Sequence, residues 1–186
     1  MNILAFDQAT SVGWCHLDGG QLIDYGVQSF KYYTKESEKR ELKEIYCYDE
    51  SVDLYLWAEK TKKIKEFVFS KYDEIKPDII VFETVQDNNN HDIHTKLAGL
   101  LNVLTAECCS RGILFLVIPI SSWKSNSGVK LKKLNLNGKY IATTRDEQKE
   151  SAIDLVNKKF KINVKTDVAD AICIALATER IKGKNK

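Results

Sequence analysis

Four carboxylates set the chemistry open to this sequence. Asp7 ends an apolar run, NILAFD (2–7), and Glu83 lies late in another, DIIVFETV (78–85). Asp167 and Asp170 stand just ahead of a third apolar stretch, AICIALA. An acid that ends a strand is commonly a turn former, so neither Asp7 nor Glu83 carries weight alone. A spacing of three, however, puts Asp167 and Asp170 on one helical face, in a first turn where the helix dipole favours negative charge. Two acids at the mouth of a buried helix, facing a sheet edge that carries two more, are costly unless a cation neutralises them. Oxygen-only ligands select Mg²⁺, with Mn²⁺ as a substitute, rather than zinc. Two such ions roughly 3.5–4 Å apart can activate a water and stabilise the leaving oxygen of an in-line phosphodiester displacement.

The positive charges are distributed to match. Net charge is only +2, yet no Asp or Glu occurs from Cys108 to Arg145, a stretch that holds Lys124, Lys130, Lys132, Lys133, Lys139 and Arg145. A near-neutral chain with a local basic tract beside isolated acids fits an enzyme that grips a polyanion and binds metal. Lysines that merely keep surface loops soluble are the competing reading, above all for the basic tail after Glu179.

The elements that must position these residues follow from periodicity. NILAFD reads as a buried strand. SVGWCHLD (11–18) and QLIDYGVQSF (21–30) flank Gly19–Gly20, a two-residue hairpin signal. Residues 36–75 contain no Gly or Pro, and their apolar residues recur at helical spacing, which predicts one long helix or two broken near 48–51. Pro77 ends that stretch before the strand at 78–85. A helix over 91–112 stops at Gly112, and ILFLVIP (113–119) is a further strand. Residues 121–144, rich in Ser, Asn, Gly and Lys, read as a polar loop. Thr144 with Glu147 forms a capping box that opens a helix over 143–160, and Thr166 caps a last helix over 166–180. The order β-β-β-α-β-α-β-α-α, in a single domain over 1–186, predicts an α/β fold. Its mixed five-stranded sheet, three antiparallel strands then parallel ones, is flanked by helices.

Other classes are set aside by composition. At 44% hydrophobic and 29% charged residues the chain is that of a soluble globular protein, with no apolar run near the roughly 20 residues of a membrane span. The N-terminus does not read as a signal peptide, so the cytoplasm is the expected compartment. The five cysteines form no CxxC pair and are read as structural. His91-x-x-His94 lacks a third ligand and reads as surface residues at a helix start. Trp123, beside Lys124, is either a wedge for a branch point or a residue packed on the sheet edge.

FDQATSVGW, IIVFETVQ and TDVADAICIALA, in that order, resemble the three acidic motifs of RuvC-type Holliday junction resolvases. The resemblance runs on through TKLAGLLNVLTAECCS, SSWKSNSGVK and TTRDEQKESAIDLV, and leaves out only about 31–75. It implies an RNase H-like fold, with Asp7, Glu83, Asp167 and Asp170 as catalytic, metal-binding acids. Lys124, Arg145 and Lys149 fall where the family places residues facing DNA, beside Lys130, Lys132 and Lys133 of the basic tract. It further implies a Mg²⁺-dependent homodimer that nicks four-way junctions and leaves 5′-phosphates. Gln8-Ala9 stands where cellular members have Pro-Gly, and the stretch before Glu83 is longer and more helical. Both departures resemble a bacteriophage-encoded member, acting in the host cytoplasm, and admit forks and flaps as substrates.

Three rivals differ in class. A sugar-kinase or Hsp70-like ATPase would need a second domain and a second phosphate loop. A non-catalytic branched-DNA-binding protein would keep the acids as relics. An RNase H-like nuclease acting on RNA or an RNA–DNA hybrid would keep both fold and metals.

Overall fold

The computed structural model describes residues 1–30, 35–85, 90–135 and 138–184. In chain order the described residues form β1 (Asn2–Asp7), β2 (Ser11–Asp18), β3 (Gln21–Ser29), α1 (Glu36–Tyr46), α2 (Asp49–Ile75), β4 (Ile79–Glu83) and α3 (His91–Ser110). There follow β5 (Phe115–Ile118), α4 (Ile120–Ser127), β6 (Lys132–Leu134), β7 (Tyr140–Ala142), α5 (Arg145–Phe160) and α6 (Thr166–Gly183). The main sheet runs β3-β2-β1-β4-β5, with β1, β4 and β5 parallel and the β1–β2–β3 meander antiparallel. This is the mixed five-stranded arrangement expected, and β6 and β7 form a separate two-stranded ribbon.

The central strands are apolar along their length because both faces of the sheet are covered. Ile3, Ala5, Ile79 and Val81 pack on one face with Trp123 of α4, Ala152 and Val156 of α5, and Ile172 of α6. Leu4, Phe6, Ile80 and Phe82 point the other way, into a second core with Ile64 and Val68 of α2 and Leu100 and Leu104 of α3. Side chains alternate with a period of two along a strand. Asp7 therefore continues the Ile3–Ala5 series and Glu83 the Ile79–Val81 series, so both acids leave their strands on the face that α6 covers.

Helix α6 is buried almost all round, through Val168, Ala169, Ala171, Ile172, Cys173, Ile174, Ala175, Ala177 and Thr178. Its small side chains let the backbone lie close to the sheet. The approach is tightest at Gly13, the β2 residue directly opposite Asp7. A Cβ built on Gly13 would stand 2.0 Å from the carbonyl oxygen of Asp167, far inside van der Waals contact. Glycine at position 13 is what allows the first turn of α6 to rest beside the end of β1.

Several expectations need correction. Residues 121–144 are not a loop. Trp123 is only 1% exposed, and burying its ring folds the segment onto the core as α4, where Ser122 and Trp123 donate backbone N–H bonds to the Pro119 carbonyl at 2.9 and 3.0 Å. The helix stops at Gly128, whose φ of 101° favours glycine, and Lys132–Leu134 pairs with Tyr140–Ala142 in the β6–β7 ribbon. Asn137–Gly138 between LKKL and KYIA is a hairpin signal of the same kind as Gly19–Gly20. Thr166 is the first helical residue of α6, and Lys165 takes the cap position without a side-chain cap bond. Cys47 and Cys109 are exposed free thiols, so burial accounts only for Cys15, Cys108 and Cys173. The break in the 36–75 helical stretch falls at Cys47, which adopts the left-handed conformation at φ 66°.

Candidate active site

The ends of β1 and β4 and the first turn of α6 meet in one open pocket of about 480 Å³. Asp7, Glu83, Asp167 and Asp170 line it together with Lys124 of α4 and Arg145, Gln148 and Lys149 of α5. The four acids are part-buried. Burial pushes the Asp7 carboxyl well above the ordinary aspartate range, and the nearby charges of Glu83, Asp170 and Asp167 push it further. Burial likewise lifts Glu83 to about 7, although the Trp123 hydrogen bond and the charges of Lys124 and Arg145 oppose the rise. Asp170 is lifted to about 6, again chiefly by burial and against Lys124 and Lys149. Acids raised in this way share a site whose negative charge is only partly balanced.

Two residues that sequence reasoning did not single out for this work hold Glu83. Gln8, buried at the end of β1, donates its side-chain amide to the Glu83 carbonyl and accepts the Glu83 backbone N–H at 3.1 Å. It thereby clamps the ends of two parallel strands to each other. The only sequence signal was that Gln8 departs from the Pro-Gly expected after the first acid. Trp123 donates its indole N–H to the Glu83 carboxylate, Oε1, at 2.5 Å. The wedge reading of Trp123 is therefore overturned: its ring belongs to the core and its polar edge to the site. Lys124 donates to Oε1 of Gln148 at 3.0 Å, which ties α4 to α5 beside the acids.

The sequence-predicted basic residues divide into two groups. Lys124, Arg145 and Lys149 lie on the pocket wall beside the acids. Lys130, Lys132 and Lys133 do not: they belong to the ribbon and its approach, where Lys130 borders a separate cleft against α5 and Lys133 pairs with Glu147. His91 and His94 open α3 and are not among the pocket residues. A second groove of about 500 Å³, lined by Leu42, Ile45, Tyr55 and Leu56 of α1 and α2, contains none of the four acids.

The donor set suits a hard divalent cation, being four carboxylates with no nitrogen or sulfur among them. Its closure is another matter. Among the described residues no three His, Cys, Asp or Glu side chains stand together as a ready-made ion cage, and Glu83 is turned toward Trp123. The residues fit the ion in chemistry and charge, and holding it requires the side chains to draw inward.

No protein-family model matches the sequence, and no curated protein does either. Solved structures do. Thermus thermophilus RuvC in complex with a Holliday junction substrate is 13% identical, with a TM-score of 0.66 over 99% of this chain and 96% of that one. The fold is that of the RuvC-type resolvases. A further structure of Thermus thermophilus RuvC superposes with a TM-score of 0.62 at 13% identity, over 100% of this chain and 97% of that one. The yeast mitochondrial Holliday junction resolvase gives 0.54 at 14% identity, over 98% of this chain and 79% of that one. In this RuvC-type fold the acid pocket lies outside the carboxyl ends of the central parallel strands, where open α/β sheets gather their chemistry. Among the described residues no helix is long and apolar enough to cross a membrane.

Proposed function

We propose that this protein is a metal-dependent, structure-specific DNA endonuclease that nicks Holliday junctions, and forks and flaps, by two-metal-ion phosphodiester hydrolysis. One observation carries the reading: four acids from β1, β4 and α6 share a pocket with Lys124, Arg145 and Lys149. Asp7, Glu83, Asp167 and Asp170 would hold Mg²⁺, or Mn²⁺ in its place. Bound there, the ions would supply an activated water and neutralise the departing 3′-oxygen, the bond from phosphorus to that oxygen breaking as the one to water forms, which would leave a 5′-phosphate and a 3′-hydroxyl. Gln8 fixes the backbone of Glu83 and Trp123 fixes one of its oxygens, so the position of this acid in the pocket is set from two sides. Lys124, Arg145 and Lys149 hold the phosphates on either side of the bond to be cut. The likeness of fold to junction resolvases supports branched DNA as the substrate. The four acids form one such pocket among the described residues, so paired nicks across a junction call for two copies and a homodimer.

The test is incubation of purified protein with labelled four-way junctions, forks, flaps, linear duplex and RNA–DNA hybrid, each with Mg²⁺, Mn²⁺ or EDTA. Metal-dependent cleavage of branched DNA, lost in Asp7→Asn while binding persists, is the expected result. Cleavage of the hybrid alone would move the activity to RNA. Tight junction binding without cleavage under either metal would leave a DNA-binding protein only.

A further inference from the structure

The β6–β7 ribbon presents an apolar pair to solvent. Leu134 and Tyr140 are register partners, 60% and 72% exposed. Lys133 and Ile141, the next pair along, point to the other face of the ribbon, where Lys133 bonds Glu147 of α5. Alternation therefore turns Leu134 and Tyr140 away from α5, with Lys132 one pleat behind on the same outward face. A two-stranded ribbon is marginal by itself, and this one is held at its base. Thr143 donates its backbone N–H to Leu131 at 3.0 Å and its hydroxyl to Lys130 at 2.9 Å. The backbone of Lys130 in turn donates to the Ser151 hydroxyl at 2.9 Å.

Position and charge narrow what the pair meets. β7 runs directly into α5, whose Arg145 and Lys149 line the acid pocket, and β6 follows α4, which carries Lys124. The ribbon is thus joined at both ends to elements that line the pocket, and its three-residue strands are each about 10 Å long. Lys132 shares the outward face with the apolar pair, Lys139 directly precedes Tyr140 in the chain, and no acid lies in the sequence between Cys108 and Arg145. An exposed aromatic among cations fits a partner with flat apolar faces on an anionic backbone.

We infer that Tyr140, backed by Leu134, stacks on unpaired bases at the branch point while Lys132 and its neighbours track the adjoining phosphates. This rests on the nuclease reading for the identity of the polyanion, and adds to it the feature that separates branched from linear DNA. Base stacking on an aromatic is sequence-tolerant, which suits recognition of a junction by its shape.

Fluorescence anisotropy in EDTA, on a four-way junction, a fork and a linear duplex, tests the assignment without any catalytic step. Tyr140→Ala should weaken junction and fork binding roughly tenfold while linear duplex changes by less than about twofold, and Tyr140→Phe should restore the difference. A 2-aminopurine at the branch point should be quenched by the wild type and not by Tyr140→Ala. Equal affinity of Tyr140→Ala and wild type for the junction overturns the inference and leaves the nuclease reading intact. A change in molecular mass by light scattering with unchanged DNA binding overturns it in favour of contact with a second copy. A wild type that binds none of the three DNAs sinks both readings together.

Discussion

Helix α6 and the β6–β7 ribbon handle charge in opposite ways. The helix carries Asp167 and Asp170 into a buried environment, against a sheet that brings Asp7 and Glu83 to the same place. The ribbon holds its lysines out in water, with every residue of both strands exposed. Buried charge costs stability and gains reactivity, because desolvation and like-charge crowding make the acids receptive to a cation. Exposed charge costs little and yields attraction that salt can screen. Changes at the acids should therefore alter chemistry and stability together, whereas changes on the ribbon should alter binding alone.

The sharpest way to break this contrast is Asp7→Asn. Cleavage should fall about a hundredfold to a thousandfold, while the melting temperature in EDTA is kept or raised, since the amide takes the place of a carboxyl that burial and its neighbours disfavour as an anion. A melting temperature below that of wild type would mean that Asp7 is structural. Gly13→Ala comes next. Its Cβ meets the Asp167 backbone at 2.0 Å, so α6 must retreat or the strand must bend, at about 1–3 kcal/mol or more of unfolding free energy measured in urea. Wild-type stability in that variant would show that α6 does not press on β2.

A titration sharpens the same comparison. Folding raises Glu83 to about 7 and Asp170 to about 6, against unfolded values of roughly 4. Between roughly pH 4 and 7 the folded chain holds protons that the unfolded chain has released. Metal-free stability contributed by these groups is thus full below that window and is lost as pH rises through it. The melting temperature in EDTA should fall from pH 5 to pH 7.5, less steeply in Asp170→Asn, and saturating Mg²⁺ should flatten the curve. A flat curve in EDTA would contradict the charge crowding.

Smaller effects follow. Trp123→Phe keeps the buried ring but removes the N–H from Glu83, and Mg²⁺ affinity by calorimetry should weaken about tenfold with the fold retained. Smallest is Lys132→Ala, which should leave stability within about 0.5 kcal/mol and reduce the salt dependence of junction binding by about one phosphate contact. If Lys132→Ala lowered the melting temperature, the ribbon would be part of the folded core.

Legibility in the sequence followed the same division. β1, β2 and α5 were readable because their cues are local: an apolar run, a Gly-Gly turn, and a capping box in which Thr144 and Glu147 bond each other. The four acids were readable because apolar runs point to them. Helix α4 was not, since ISSWKSNS is built of residues that compete with helical hydrogen bonding, and only the burial of Trp123, a tertiary fact, makes it helical. The clamp by Gln8 was equally hidden, because its partner lies 75 residues away on β4. The Trp123–Glu83 bond was hidden too, although both residues had been noticed separately.

The ribbon enters and leaves the domain at almost one point, where Thr143 bonds both Leu131 and Lys130. Segments anchored this way are tolerant of exchange, because lengthening a loop whose ends already meet adds only about 0.6 kcal/mol per doubling. Over evolutionary time, or in a designer's hands, the ribbon can be shortened, extended or replaced while α4, α5 and the acids keep their places. Substrate preference and cutting chemistry can thus drift independently, and a chimera that borrows only residues 131–143 is the natural way to move one without the other.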